Sequence, residues 1–189
     1  MENVNFVLCG LGGQGVLFMT KVLAQTALQK GIRVLCAETH GMAQRGGSVI
    51  SHLRLGEAEN SLVRAGTAHY LLALEENEAY RNMAFLAEGG KVYTDAPENA
   101  FPVPKVRQYF EKLRIIPRSI QAASVAMELG SPMSSNLALI GFFSSFGEGP
   151  LNYQEIRGTI DQISPERFKE NNLKVFDAGY EKGTGTSNS

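Results

Sequence analysis

A glycine-rich turn between an apolar segment and a helix-patterned segment constrains the fold of this chain most. Val4–Cys9 has the apolar character of a central parallel strand that is buried on both faces. Gly10, Gly12 and Gly15 follow at once in the spacing G-x-G-x-x-G, and apolar residues then recur at helical intervals from Val16 onward. This order predicts a strand, a tight turn and an amphipathic crossover helix.

A second glycine-rich loop follows the next predicted strand. Ile32–Glu38 predicts that strand, which would close a right-handed βαβ unit with the first one. The loop Thr39–Gly47 separates it from a third strand near Val49, whose alternating apolar and polar residues are typical of a position near a sheet edge. Ligands of open α/β sheets bind beyond the carboxyl ends of the strands. We therefore expect both loops to lie together there and to form the candidate site.

The rest of the chain alternates strands and helices before it becomes helical. Strands are predicted over His69–Leu74 and Lys91–Asp95, with a helix over Glu75–Glu88 between them. The segment Met133–Phe146 is apolar on almost every side, which is typical of a helix buried in a core. Further predicted elements are a short helix around Val106–Leu113, a strand over Leu113–Pro117, a helix over Ile120–Leu129, a helix capped by Asn152 with Glu155, and a last helix opened by Ser164 and Pro165.

These elements predict an α/β fold with a Rossmann-like, mostly parallel sheet flanked by helices, and with a helical C-terminal region. A chain of 189 residues suits one domain, which we expect to span residues 1–181. The sequence after Tyr180 holds no core residue, so residues 182–189 are expected to form a flexible tail.

The charge balance excludes several classes of partner. With 18 basic and 19 acidic residues the net charge is −1, which gives no large field to attract nucleic acid or an anionic membrane. No apolar run approaches the ~20 residues that cross a bilayer, and the start of the sequence does not resemble a charged leader. We expect a soluble cytoplasmic protein that binds neither nucleic acid nor membrane.

The cysteines and histidines favour no metal site on this chain. Cys9 and Cys36 lie in apolar strands without CxxC spacing, and two thiols cannot supply the four ligands of an ordinary iron–sulfur cluster or structural zinc site. We expect both to be small buried hydrophobic residues. His52 and His69 lie on predicted strands, have no Asp or Cys at metal-ligand spacing, and are expected to be structural.

The first glycine loop allows two interpretations. Its glycines let backbone N–H groups and a helix N-terminus approach an anion, and Glu38 stands where a ribose-binding acid of a dinucleotide site is expected. A free-standing NAD-binding reductase is therefore one alternative. The same turn can also serve only to pack a helix against a strand.

The second loop offers a cation and several hydrogen-bonding groups. Gln44, Arg45 and Ser48 lie beside the exposed backbone of Gly46 and Gly47, a set suited to a carboxylate, a phosphate or a partner's carbonyl groups. Arg45 could instead pair with Glu38 and only hold the loop. His40 could orient a substrate or donate a proton, or it could stabilise the loop by a hydrogen bond.

Together the two loops resemble one protein family. The segments Gly10–Val16 and Glu38–Val49 are similar to the gamma subunit or domain of the 2-oxoacid:ferredoxin oxidoreductases. The residues from His40 to Ser48 are most similar to the beta, or small, subunit of indolepyruvate:ferredoxin oxidoreductase. The likeness continues through Leu71–Glu78, through Asn136 and into Asn172–Tyr180.

The resemblance implies a subunit of an assembly that decarboxylates a 2-oxoacid on thiamine diphosphate, reduces ferredoxin through iron–sulfur clusters and forms an acyl-CoA. Thiamine diphosphate, Mg²⁺ and the clusters are then expected on partner subunits, with CoA as co-substrate and no cofactor on this chain. The alternative of a pyruvate or 2-oxoglutarate enzyme's gamma subunit stays open. No residue of this chain is expected to be catalytic. The residues expected to contact substrate, CoA or a partner are Gly10, Gly12, Gly13, Gln14, Gly15, Glu38, His40, Gln44, Arg45, Gly46, Gly47 and Ser48.

Overall fold

A six-stranded, mostly parallel sheet forms the centre of the molecule. The computed structural model describes residues 3–40, 47–98 and 100–186, with only the backbone of His40 and Thr186. The strand order is β2-β3-β1-β4-β5-β6, in which β3 alone runs antiparallel to its neighbours. The strands are β1 (Val4–Leu11), β2 (Val34–His40), β3 (Ser48–Leu55), β4 (Ala68–Ala73), β5 (Leu86–Asp95) and β6 (Ile116–Ile120).

Helices cover both faces of the sheet, as the predicted α/β fold class requires. The seven helices of the described residues are α1 (Val16–Gln29), α2 (Glu76–Asn82), α3 (Pro104–Lys112), α4 (Ala122–Glu128), α5 (Ser135–Ser144), α6 (Tyr153–Ile163) and α7 (Glu166–Thr186). Buried side chains of α1 and α4–α7 form one core on the first face, and those of α2 and α3 form a second core on the other. Within the described residues, no helix has the length and apolar character needed to span a membrane.

Strand β3 changes the predicted neighbour of β1. The sequence predicts β1, α1 and β2 as one βαβ unit, but β3 lies between β1 and β2, paired with β1 along its whole length and with β2 from Val49 to Leu55. Leu53 and Leu55 of β3 are fully buried, whereas no side chain described on β2 is buried and three of them are exposed. The strand that follows in the chain therefore takes the inner position, and β2 becomes the sheet edge.

Strand β5 begins earlier than predicted. The predicted helix Glu75–Glu88 is wrong at its end, because α2 stops at Asn82 and β5 starts at Leu86. Leu86 is buried and pairs with Ala68, which draws the residues before Gly89 and Gly90 into the sheet. The last strand is also displaced from the predicted Leu113–Pro117 to Ile116–Ile120.

Helices α5 and α7 pack backbone against backbone. A Cβ atom added to Gly141 would lie 2.0 Å from the carbonyl oxygen of Phe176, and one added to Gly179 would lie 2.1 Å from that of Ala138. At Gly183 an added Cβ atom would instead clash with the side chain of Ser145. Because this contact holds the last helix to the core, α7 continues to Thr186, where the sequence predicts a flexible tail from residue 182.

Candidate functional site

The two glycine-rich loops meet at one end of the sheet. The backbone N–H of Gly12 donates to the carbonyl oxygen of Gly47 over 2.8 Å. The β1–β3 ladder continues to the pairs Gly10↔Val49 and Leu11↔Ser48, so the ends of the two loops are in register. The predicted proximity of the two loops is confirmed for these residues.

The first loop uses part of its hydrogen-bonding capacity internally. The side-chain oxygen of Gln14 accepts from the N–H of Leu11 over 2.6 Å, and the N–H of Gln14 donates to the carbonyl of Leu11. With the Gly12 N–H bound to Gly47, three backbone donors of the first loop are already paired. The turn therefore fixes the base of the second loop and offers an anion fewer donors than its sequence indicates.

Helix α5 closes the turn from the first face of the sheet. Gly13 and Gly15 have left-handed backbones, with φ of +96° and +84°. The side-chain amide of Asn136, which is 3% exposed, donates to the carbonyl oxygen of Gly15 over 3.1 Å. The start of α1 is thus fastened to a buried polar group 121 residues away.

Ser48 is linked to a buried acid that the sequence does not reveal. Its hydroxyl donates to a carboxylate oxygen of Glu78 over 2.5 Å, and Glu78 is only 1% exposed. The other carboxylate oxygen lies 3.4 Å from the guanidinium of Arg81, which is largely exposed. The sequence indicates Glu78 only as an acid in the first turn of a helix, and nothing in it marks a partner on β3.

A cavity of about 630 Å³ opens beside this link, between the end of the sheet and helices α2 and α3. Ser48, Glu78 and Arg81 line it, and Lys105 adds a second exposed cation. The Tyr80 side chain forms part of the wall, and burial raises the pKa of its hydroxyl to about 12. The cavity combines a hydroxyl, two cations and the two carboxylates of Glu75 and Glu78 at the strand ends, where α/β proteins bind ligands.

Several candidate residues lie away from this cavity or outside the described residues. Glu38 is exposed on β2, and β3 lies between β2 and the glycine turn of β1. Two strand spacings put Glu38 about 10 Å from that turn. His40 ends β2, and only its backbone is described. Gln44, Arg45 and Gly46 lie outside the described residues.

The two cysteines have different environments. Cys9 is fully buried, and burial raises the pKa of its thiol, as expected for a structural residue. The prediction that Cys36 is buried is wrong, because it lies exposed on the edge strand β2. Strand β3 separates the two thiols.

The strand histidines contribute to packing. Burial lowers the pKa of His52, and its Nδ1 accepts from the N–H of Val63 over 3.3 Å. Nδ1 of His69 accepts from the N–H of Asn5 over 3.0 Å. Within the part of the chain that the structure describes, no three His, Cys, Asp or Glu side chains are grouped to hold a metal ion.

Comparison with known proteins assigns this α/β fold to a family. The family model described as pyruvate ferredoxin/flavodoxin oxidoreductase matches residues 5–182. The chain therefore belongs to the pyruvate ferredoxin/flavodoxin oxidoreductase family. It is similar to indolepyruvate oxidoreductase subunit IorB of Archaeoglobus fulgidus, with 32% identity over 94% of each chain, and to that of Pyrococcus horikoshii, with 33% identity over 95% of each.

More distant relatives agree with this assignment, and a solved structure shares the fold. Ketoisovalerate oxidoreductase subunit VorA of Methanothermobacter thermautotrophicus is 27% identical, and the chain covers 36% of that longer protein. The 2-oxoglutarate synthase subunit KorC of Archaeoglobus fulgidus is 26% identical. The crystal structure of the keto/oxoacid ferredoxin oxidoreductase gamma subunit from Geobacter sulfurreducens has the same fold, with a TM-score of 0.74 at 21% identity over 96% of this chain and 99% of that one.

Proposed function

We propose that this chain is the small subunit of a 2-oxoacid:ferredoxin oxidoreductase that acts on an aryl pyruvate such as indolepyruvate. The support is the similarity to IorB subunits over almost the whole of both chains. In the proposed reaction the bond between the carboxylate and the oxo carbon breaks, CO₂ leaves and the acyl group bonds to the CoA sulfur. The thiol proton is released, and two electrons reduce two ferredoxins.

The proposed role of this chain is to complete the reaction site of a cytoplasmic assembly. Thiamine diphosphate, Mg²⁺ and the iron–sulfur clusters would reside on partner subunits and supply the decarboxylation and the electron path. The two glycine loops of this chain would contact the partner, the substrate or CoA, and no residue of the chain would be catalytic.

The structural observation that supports this role for the loops is their junction beside an open, charged cavity. The Gly12–Gly47 and Ser48–Glu78 hydrogen bonds hold the C-terminal end of the second loop against the glycine turn and α2, which gives that end a fixed position. Arg81 and Lys105 lie at the rim of the cavity and could receive a phosphate or carboxylate from a bound molecule. Such an arrangement suits a surface that positions a reactant held mainly by another subunit.

A gamma subunit acting on pyruvate, 2-oxoglutarate or a branched-chain oxoacid is the second candidate. The similarity to VorA and KorC favours it, at lower identity than the IorB relatives. A panel of 2-oxoacids tested on the assembled enzyme distinguishes these substrates. The highest kcat/KM for an aryl pyruvate supports the proposal, whereas a highest value for 2-oxoglutarate or pyruvate favours the second candidate.

The free-standing NAD-binding reductase has less support. Its sequence signature requires an acid on the strand next to β1, but that neighbour is β3, and Glu38 lies one strand further away. Titration of the isolated chain with NADH tests this alternative directly. Micromolar binding without a partner would favour the reductase.

The proposed function is tested by purifying the tagged chain after co-expression with its neighbouring reading frames. We expect a stable complex whose thiamine diphosphate and iron are retained by the other subunits after separation. Iron or thiamine diphosphate bound stoichiometrically to this chain alone would contradict the proposal.

Arg45 provides a test within the second loop. Arg45→Ala should leave the melting temperature of the isolated chain unchanged and lower the turnover of the complex. Arg33→Ala is a matched control, because Arg33 precedes β2 at the opposite end and forms an exposed ion pair with Glu57. Unchanged turnover and unchanged assembly of the Arg45 variant would remove that residue from the site.

A further inference from the structure

A second groove, of about 570 Å³, is lined by other residues of α3 and by the segments just before and after that helix. Its floor is apolar: Phe101, Phe110 and Ile115 are each at least nine-tenths buried. The two phenyl rings meet edge to face with centroids 5.7 Å apart, and Pro102 and Pro117 complete the apolar lining. An apolar floor of this size with a few charged groups at its rim has the composition of a small-molecule site.

Two arginines and one glutamate form the charged rim. Arg107 is held by a hydrogen bond from its Nε to the carbonyl of Pro102 over 3.4 Å, and its side chain is exposed. Arg114 and Glu111 also line the groove, so the rim carries one net positive charge. This balance favours a monoanion, and the planar guanidinium groups match the geometry of a carboxylate.

Arg114 occupies a backbone position that glycine normally fills. It follows the end of α3 with φ of +52° and is the one non-glycine residue with positive φ among residues 3–40, 47–98 and 100–186. The N–H of Arg114 donates to the backbone carbonyl of Glu111, and the N–H of Ile115 donates to that of Phe110. This is the pattern of a Schellman helix end. The same motif ends α1 at Gly31 and α4 at Gly130, whose φ values are +72° and +68°.

The strained position places an arginine on the groove at a cost in stability that glycine would avoid. Arg114 does form an ion pair with Glu88 over 3.5 Å, but the two side chains are 80% and 62% exposed. This pair therefore does not account for an arginine at the strained position. Exposed pairs of this kind contribute little. An arginine held against backbone preference beside an apolar floor indicates recognition of a ligand.

We infer that this groove binds a small aromatic monocarboxylate, whose ring lies on the phenylalanine floor and whose carboxylate pairs with Arg114 and Arg107. The inference is independent of the proposed function, since it concerns binding to this chain alone. It assigns no chemical step to the groove.

Titration of the isotopically labelled chain with phenylacetate, followed by backbone amide NMR, tests the inference. We expect saturable binding with a dissociation constant of about 1 mM or tighter, and shifts at Phe110, Arg114 and Ile115. Acetate, which lacks the ring, and 2-phenylethanol, which lacks the charge, should bind much more weakly. The inference would be overturned if phenylacetate showed no saturable binding, or if acetate or 2-phenylethanol bound as tightly as phenylacetate. Shifts confined to Ser48 and Arg81 would also overturn it.

Variants of the rim make the test specific. Arg114→Gly should weaken phenylacetate binding about tenfold or more and leave the melting temperature unchanged or higher, because the helix end gains its preferred residue. Arg107→Met should also weaken binding, whereas Lys112→Met, on the same helix but outside the groove, should not. Glu88→Gln should leave binding unchanged or tighter. A destabilised Arg114→Gly protein that binds phenylacetate normally would show that Arg114 is structural.

Discussion

The side-chain amide of Asn136 and the carbonyl oxygen of Gly15 are joined by a hydrogen bond of 3.1 Å that fastens α5 to the start of α1. A Cβ atom on Gly15 would lie 2.5 Å from the Asn136 amide nitrogen, whereas one on Gly13 would meet nothing within 4 Å. The two glycines have similar left-handed backbones. They therefore separate the effect of backbone strain from the effect of a clash.

We expect Gly13→Ala to destabilise the protein by about 1–2 kcal/mol through backbone strain alone. Gly15→Ala should cost more, because it adds a clash with Asn136 to the same strain. The free energy of unfolding in urea measures both. Combining Gly15→Ala with Asn136→Ala should recover part of the loss, while Asn136→Ala should not improve Gly13→Ala. Equal costs for both glycine variants would refute the clash.

Ser48→Ala should destabilise the chain by about 1–3 kcal/mol, because it leaves a nearly buried oxygen of Glu78 without its hydroxyl donor. Ser48→Thr keeps a hydroxyl and suits a β-strand, so it serves as the matched control. Urea unfolding compares the three proteins. If the alanine and threonine variants are equally stable, the Ser48–Glu78 bond does not contribute to stability.

Gly179→Ala should destabilise the contact between α5 and α7 by about 2–3 kcal/mol, because the new methyl group would strike the backbone of Ala138. Gly158→Ala in α6 meets nothing within 4 Å and should stabilise the protein by about 0.5–1 kcal/mol through helix propensity. Thermal unfolding of both variants provides the comparison. If Gly179→Ala leaves the melting temperature unchanged, α5 and α7 move apart to accept the methyl group without a loss of stability.

Glu148 should make the stability depend on acid. Burial alone would raise the pKa of its carboxyl, but hydrogen bonds from Lys91, Tyr93 and Arg118 and the Arg118 charge outweigh burial and lower the pKa. A lowered folded-state pKa stabilises the protein above the unfolded value of about 4.3, and this contribution is lost as pH falls through the folded value.

The comparison of wild type with Glu148→Gln between pH 3 and pH 7 tests this dependence. The stability difference should be largest at neutral pH and should shrink as the pH falls. Glu128→Gln, which removes an exposed carboxylate at the end of α4, is the control variant. If Glu148→Gln lowers the free energy of unfolding by the same amount at every pH, the lowered pKa of Glu148 is contradicted.

Local signals in the sequence predict much of the fold. The G-x-G-x-x-G spacing predicts the turn between β1 and α1, and the Asn152–Glu155 pair forms both hydrogen bonds of a capping box at the start of α6. The apolar segment around Leu137 forms α5, in which every residue from Asn136 to Ser144 is buried. These features depend on residues close together in the chain.

Features that depend on distant contacts could not be predicted. The periodicity of β3 indicates a strand but not which strands it pairs with, and that choice moves Glu38 and Cys36 to the sheet edge. The helical run past residue 182 depends on Gly183 meeting Ser145, which the local sequence does not encode. In the candidate site, the sequence indicates the glycine loops but not the Ser48–Glu78 link, since the two residues come from separate elements.

The most direct test of the account is the turnover of an aryl pyruvate with CoA and ferredoxin by this chain alone, by the cofactor-bearing partner alone and by their mixture. We expect no turnover by the isolated chain and full activity only when the two are mixed. Oxoacid-dependent ferredoxin reduction by the purified single chain would contradict the account.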